Sequence, residues 1–220
     1  MPAPPTDQDE NNTHSEPSLG VEEGGIHAAE ALLLARYFMF TQLYLHPVRR
    51  AYDIHLKDFL NVWLGEEKFP TDIEGHLKIT DNEVMSAILK AAQDESAPGH
   101  ESAKRIVYRE HFRCLYQRNP DDIAINPEAG DQVFEAVKAE YGESHVRRDK
   151  YTKGSPTDFP VKAKDDRIVS ATSLSETLSS PLLTVVDLVF IDPQDIEQAK
   201  EWLNENRKTI ITQPKENENE

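Results

Sequence analysis

The segment LYLHPVRRAY, residues 43–52, holds the side chains best suited to contact an anion. Arg49 and Arg50 lie one helical turn on from His46, because residues three and four apart are neighbours on a helix surface. Guanidinium groups bind phosphate oxygens through paired hydrogen bonds. Adjacent arginines on an acidic chain also pair readily with surface carboxylates such as Asp53. The spacing therefore leaves two interpretations open, a phosphate contact and a surface ion pair.

The histidines and the single cysteine form no metal or nucleophile motif by spacing. His46 and His55 lie nine residues apart, which differs from the HxxxH spacing of a helical metal pair. Asp58 follows His55 by three residues, but two ligands make a weak site. Cys114 cannot form an internal disulfide and is expected to be a small buried side chain. We therefore predict no catalytic residue and no metal ligand.

The negative net charge of the chain argues against some classes of binding partner. Its 220 residues include 40 acidic and 24 basic ones, which gives a formal net charge of -16. Nucleic acids and anionic lipid surfaces attract positive proteins, so we expect neither a nucleic-acid nor a membrane partner. No apolar run approaches the roughly 20 residues that span a bilayer, and the N-terminus lacks a secretory signal. We expect a cytoplasmic protein.

Two helices should position the basic segment. Apolar residues recur at helical spacing on both sides of Pro47, which predicts one helix over residues 22–45 and another over residues 47–64. His46 lies near the cap of the second helix, and Gly65 fits its C-terminal end. The apolar residues of the first helix form too wide a face for one side of a surface helix. Part of that face must meet another element, another protomer or a further domain.

Further along, Thr80 and Glu83 form a capping box that starts a third helix. Residues 66–79 are predicted to be a connection and residues 119–122 a turn. In the C-terminal half, the pattern predicts a helix over residues 127–141 and a strand over residues 145–151. A hairpin over residues 159–172, a central strand over residues 184–191 and a final helix over residues 193–207 follow.

This order of elements predicts a mostly α N-terminal helical region followed by a small α+β domain, in which an antiparallel sheet carries helices on one face. We predict a disordered N-terminus at residues 1–20 and the helical region at residues 21–97. The α+β domain is predicted at residues 98–209 and an acidic tail at residues 210–220.

Four ordered blocks of the sequence carry a family resemblance. They are AAEALLLARYFMFTQLYLHPVRRAYD, TDNEVMSAILKAA, RIVYREHFRCLYQRNPDD and TDFPVKAKDDRIVSATSLSETL. These blocks resemble bacterial HD-domain phosphohydrolases, a group similar to the deoxynucleoside triphosphate triphosphohydrolases and the SAM-and-HD-domain enzymes. The first block resembles the helical segment that follows the catalytic core of that family. The resemblance extends from about Val21 to about Thr209.

The resemblance implies metal-assisted attack of water on a phosphoryl centre, with a divalent ion held by a His, a His-Asp doublet and a later Asp. Those ligands would lie upstream of Gly25, so we expect a C-terminal portion that lacks the catalytic HD core and retains no metal. The resemblance also implies contact with the triphosphate and sugar of a nucleotide through four residues: Tyr44, His46, Arg49 and Arg50.

On this basis we expect a non-catalytic scaffold, oligomerisation or regulatory module. Its expected partners are further copies of itself or a separate HD-domain subunit, and its candidate ligand is a nucleotide. One alternative is metal-dependent dNTP triphosphohydrolase activity through a site completed in an oligomer. Another is a gene remnant that is marginally stable because the wide apolar face of the first helix is exposed.

Overall fold

The computed structural model describes residues 18–65, 69–153, 158–179 and 184–212. The helices are α1 (Ile26–Met39), α2 (Pro47–Trp63), α3 (Ile73–Leu77), α4 (Asp81–Ala91), α5 (His100–Val107), α6 (Pro120–Ile125), α7 (Ala129–Tyr141), α8 (Glu176–Ser179) and α9 (Ile196–Thr212). The strands are β1 (Val21–Glu22), β2 (Arg113–Gln117), β3 (Val146–Lys153), β4 (Pro160–Lys162), β5 (Ile168–Ser170) and β6 (Thr184–Ile191). Residues 1–17 of the predicted disordered N-terminus and residues 213–220 of the predicted tail lie outside the described residues. The first three residues of the predicted tail, 210–212, are the end of α9.

These elements separate into two compact units, each made from two stretches of the chain. The first unit comprises residues 1–44 and 151–185, and the second comprises residues 45–150 and 186–220. The domain boundary predicted at residue 98 lies inside the second unit. The predicted fold class, a helical N-terminal region followed by an α+β part, is confirmed.

The first unit contains a three-stranded sheet in the order β1-β4-β5. β4 and β5 form the predicted antiparallel hairpin, whose turn places Asp166 in the left-handed region with a φ of 63°. β1 pairs with β4 in parallel, with Val21 opposite Val161. Ile26 and Leu33 of α1 join Val161 in the core of this unit. The sheet therefore fixes one side of α1.

The first predicted helix is confirmed over α1, but it begins only at Ile26 because β1 and a 3₁₀ turn occupy residues 21–25. A π-helical turn over Phe40–Tyr44 follows α1. Within this turn, Thr41 donates its hydroxyl to the carbonyl oxygen of Tyr37 at 3.1 Å. Such side-chain bonds compete with the regular helical hydrogen-bond pattern, which is consistent with the wider turn at this point.

The second unit contains the sheet β2-β6-β3. β6 is its central strand, as predicted, and Leu188, Val189 and Ile191 within it are fully buried. α7 and α9 share one apolar cluster with β6, to which they contribute Val133 and Leu203. The strands predicted as one antiparallel sheet are thus divided between two sheets.

A second helix group in this unit, formed by α2, α4 and α5, surrounds Phe59, which is fully buried and packs with Ile88. Two predicted helix starts are confirmed here. The side chain of His46 caps α2, and Thr80 with Glu83 forms the capping box of α4. Side-chain caps satisfy backbone N–H groups that have no partner within the helix.

Two predicted loops were wrong. α3 lies within the predicted connection of residues 66–79, and α6 replaces the turn predicted at residues 119–122. Asn119 accepts the backbone N–H of Asp122 at 3.0 Å and thereby caps α6. The same residue types start turns and helices, so the local pattern did not distinguish the two.

The bounds of the last helix also differ from the prediction. Asp192 accepts the backbone N–H of Gln194 at 3.0 Å, which forms a turn instead of a helix cap. α9 therefore begins at Ile196, not at Pro193, and it continues to Thr212.

Candidate functional site

Three of the four predicted nucleotide contacts lie in the first turn of α2 or directly before it. His46 accepts the backbone N–H of Val48 through Nδ1 at 3.3 Å, so its ring serves as the helix cap. Pro47 occupies the first helical position, where no N–H is needed. A helix N-terminus carries a partial positive charge, to which Arg49 and Arg50 add two guanidinium groups.

Arg50 is held by carboxylates from two elements. Its Nε and Nη2 atoms donate to the two carboxylate oxygens of Asp149 on β3, each at 2.6 Å. Its Nη1 atom lies 3.3 Å from Asp53, one turn along α2. This two-pronged geometry is the strong form of a guanidinium-carboxylate pair. Arg50 therefore fastens α2 to β3, and an anionic ligand would compete with two carboxylates for it.

Arg49 differs from its neighbour in its surroundings. Its side chain is 48% exposed, and its Nε atom lies 4.0 Å from Asp53. Exposed pairs at this distance contribute little free energy. Of the two arginines, Arg49 is the one whose guanidinium is more accessible to a ligand. Tyr44, the fourth predicted contact, ends the π-helical turn of the first unit, where its ring lies 5.4 Å from the ring of Phe40.

A buried polar cluster that the sequence did not predict lies further along α2. His55 is only 1% exposed and accepts the backbone N–H of Phe112 at 3.1 Å. Burial, helped by the positive charge of Arg105, lowers the pKa of His55 to about 4. His55 is therefore a neutral acceptor at physiological pH and packs beside the ring of Phe112, with centroids 4.9 Å apart.

Two arginines lie against the ring of Phe112. The guanidinium carbon of Arg105 lies 4.6 Å from the ring centroid, and that of Arg147 lies 5.4 Å from it. Arg105 also donates to Asp192 at 2.6 Å, which links α5 to the turn after β6. Cation–π contacts and ion pairs of this kind stabilise the arrangement of elements around α2.

A third arginine is held on β3. Arg148 donates from Nε and Nη2 to both carboxylate oxygens of Asp187, at 2.8 and 2.7 Å, and from Nη1 to Asp131. These bonds raise the pKa of Arg148. Asp187 lies in the apolar strand TVVDLVFI. A carboxylate within an apolar strand indicates a buried cationic partner. The sequence alone did not identify Arg148 as that partner.

The described residues offer no obvious metal centre or reactive thiol. No group of three His, Cys, Asp or Glu side chains among them is placed to hold a metal ion. The divalent ion that the resemblance implies therefore has no fitting ligand set in the described part of the chain. Burial raises the pKa of Cys114 to about 11, which keeps its thiol protonated at neutral pH. Of the described helices, none combines the length and apolarity needed to cross a membrane.

Comparison with known families places residues 10–141 in a match to the HD-associated region. This match covers more than half of the chain and includes all four predicted nucleotide contacts. The comparison with curated proteins found no match.

The solved structures that are similar to the chain include the following two. A hypothetical protein from Aquifex aeolicus has a TM-score of 0.70 and 28% identity, over 84% of this chain and 47% of that one. A phosphohydrolase from Bacteroides thetaiotaomicron has a TM-score of 0.54 and 17% identity, over 79% of this chain and 51% of that one. At 17% identity the likeness shows a shared fold. The chain spans about half the length of each of these structures.

Proposed function

The chain belongs to the family of HD-associated regions, and from that premise we propose that it acts as the non-catalytic companion of an HD-type phosphohydrolase domain. In this role it supplies a scaffold or regulatory surface, while the HD domain supplies the metal ion and the attacking water. The HD domain belongs either to a longer form of the same polypeptide or to a separate subunit.

The observation that carries this proposal is the family match over residues 10–141. The similar structures add support, because each is about twice as long as the part that resembles this chain, and one of them is a phosphohydrolase. The described residues supply many arginine-carboxylate pairs but no metal ligand set. The arginine-carboxylate pairs join separate elements of the second unit, as a supporting module requires.

We further propose that the start of α2 contacts the phosphates of a nucleotide. Arg49 supplies an accessible guanidinium next to the positive end of the helix, a combination that attracts phosphate. Arg50, which is bound by Asp149, positions α2. His46 holds the first turn in place. Tyr44 belongs to the first unit and is not part of this proposed contact.

The first experiment measures hydrolysis of each dNTP by purified residues 1–220 with Mg²⁺ or Mn²⁺. It is repeated after addition of each full-length HD-domain protein from the same genome. We expect no turnover by the chain alone and a change of at least threefold in the activity of one HD-domain protein. Turnover by the chain alone would overturn the non-catalytic role, and no change in any HD-domain protein would overturn the companion role.

The second experiment compares Arg49→Ala with Arg167→Ala in nucleotide binding to the active assembly. Arg167 is a matched control because it is an exposed arginine of the other unit that pairs with a nearby carboxylate, Asp165. We expect Arg49→Ala to weaken binding at least fivefold and Arg167→Ala to leave it within twofold. Equal effects of the two substitutions would remove Arg49 from the nucleotide site.

A further inference from the structure

α1 is apolar on two opposite sides, and the core of its own unit uses only one of them. On the inner side, Ile26 and Leu33 pack with Val161. On the outer side, Leu32 is 70% exposed and Met39 is 48% exposed. Large apolar side chains that are exposed together on one surface mark an interaction site more often than scattered ones do.

The outer side has the spacing of a helix-packing surface. We define the outer seam as Ala28, Leu32, Ala35 and Met39, which follow one another at steps of four, three and four residues. Such steps place side chains in one stripe along a helix. All four residues are exposed. Alternation of small and large side chains allows a second helix to approach at the alanines and to receive Leu32 and Met39 in its grooves.

We infer that the outer seam is the docking surface for a helix of the HD-type phosphohydrolase domain. This inference rests on the proposed function, and it names the surface through which the chain would bind the HD-type domain. The family match includes the whole of α1. The two similar structures reported above each have a further part, about half of their length, that the chain does not cover. We infer that the partner helix comes from the corresponding part of the HD-type protein. Burial of Leu32 and Met39 would contribute free energy of association that the isolated chain cannot gain.

The test measures the affinity of residues 1–220 for the full-length HD-domain protein that responds in the activity assay, by isothermal titration calorimetry. The seam variant is Leu32→Asp with Met39→Asp. The control variant is Leu77→Asp with Met85→Asp, whose parent side chains are equally large and similarly exposed, at 71% and 52%, on α3 and α4. We expect the seam variant to weaken binding at least tenfold and the control to change it less than twofold.

Hydrogen exchange on the wild-type chain gives a second readout that needs no substitution. Binding should slow exchange of the amides in α1 and leave those in α4 unchanged. If the HD domain is part of the same natural polypeptide, both variants are made in that full protein, and the seam variant alone should speed proteolysis between the two parts.

The outcomes separate the two proposals. Binding that both variants weaken equally, or that leaves α1 unprotected, would overturn the seam and leave the proposed function standing. Absence of any bound HD-domain protein would overturn the proposed function itself. A self-association of the chain that the seam variant abolishes, without binding to an HD domain, would assign the seam to a second copy and overturn the inference.

Discussion

α1 and α2 follow each other in the chain and are of similar length, yet they use their apolar residues differently. α2 directs Ala51, His55 and Phe59 into its unit, where each is at most 1% exposed. α1 buries only Ile26 to a similar degree, while Leu32 on its opposite side remains exposed. Both helices hold enough apolar surface for a core, but α2 buries one full side within the described chain, whereas Ile26 is the one buried residue of α1.

If the proposed docking surface is correct, stability depends mainly on α2 and association on α1. Substitutions on the buried side of α2 should act on the free energy of unfolding. Substitutions on the outer seam of α1 should act on binding. Four predictions each contrast a buried position with an exposed one, and they are given from the largest expected effect on unfolding to the smallest.

Phe59→Ala should lower the free energy of unfolding by about 3–5 kcal/mol, because it leaves a cavity among the side chains around Ile88. Urea denaturation at neutral pH measures the change. Phe38→Ala, which truncates a ring of α1 that is 57% exposed, is the matched control and should cost less than about 1 kcal/mol. Equal losses in the two variants would break the comparison.

Arg148→Met should lower the free energy of unfolding by about 3 kcal/mol, because it leaves the buried carboxylate of Asp187 without its two-pronged partner. Arg49→Met, at a side chain that is 48% exposed, should cost less than about 0.5 kcal/mol. Adding Asp187→Leu to Arg148→Met should restore part of the loss. A double variant no more stable than the single one would contradict this account of the pair.

His55 should make the stability of the second unit depend on pH. Its pKa is about 4 in the folded chain, below the ordinary value of 6.5 that applies to the unfolded chain, so the unfolded chain binds more protons between these values. Stability should therefore fall as the pH drops from about 6.5 to about 4, by about 2.5 kcal/mol. His55→Gln keeps an acceptor for the N–H of Phe112 but does not titrate.

Denaturation at several pH values measures this effect as a difference between wild type and variant. His55→Gln should flatten the slope of stability against pH in that window. His27→Gln removes a histidine whose side chain is 89% exposed, and it should leave the slope unchanged. If both substitutions changed the slope of stability against pH equally, burial of His55 would be excluded as the cause of the pH dependence.

Leu32→Ser should change the free energy of unfolding by less than about 0.5 kcal/mol, because the side chain is exposed in the chain alone. Leu33→Ser, one residue on, should cost about 1–2 kcal/mol because Leu33 packs on the core of the first unit. Thermal unfolding of the pair compares the two sides of α1 directly. Similar melting temperatures would show that the sides are not distinct.

Local signals predicted much of the fold. The cap at His46, the capping box at Thr80 and the hairpin turn at Asp166 each depend on a few adjacent residues, and each was recovered. Contacts between residues far apart in the sequence were not predicted. The partner of Arg50 is Asp149, which lies 99 residues away, and β1 pairs with β4 from the far half of the chain.

The candidate site was predictable in part for the same reason. Proximity on one helix placed His46, Arg49 and Arg50 together from sequence alone. The spacing could not reveal that Arg50 is occupied by carboxylates while Arg49 is more accessible, because Asp149 comes from a remote strand. Likewise, the burial of His55 depends on residues around position 112 that its own helix does not encode.

The interleaving of the two units has a consequence during translation. The sheet of the first unit needs β4 and β5, and that of the second needs β6, so both await segments made after residue 159. Most of the polypeptide must therefore leave the ribosome before either unit can fold. Until then the apolar residues of α1 and α2 remain exposed, and exposed apolar surface favours chaperone binding. For the same reason, no single proteolytic cut would liberate either unit whole.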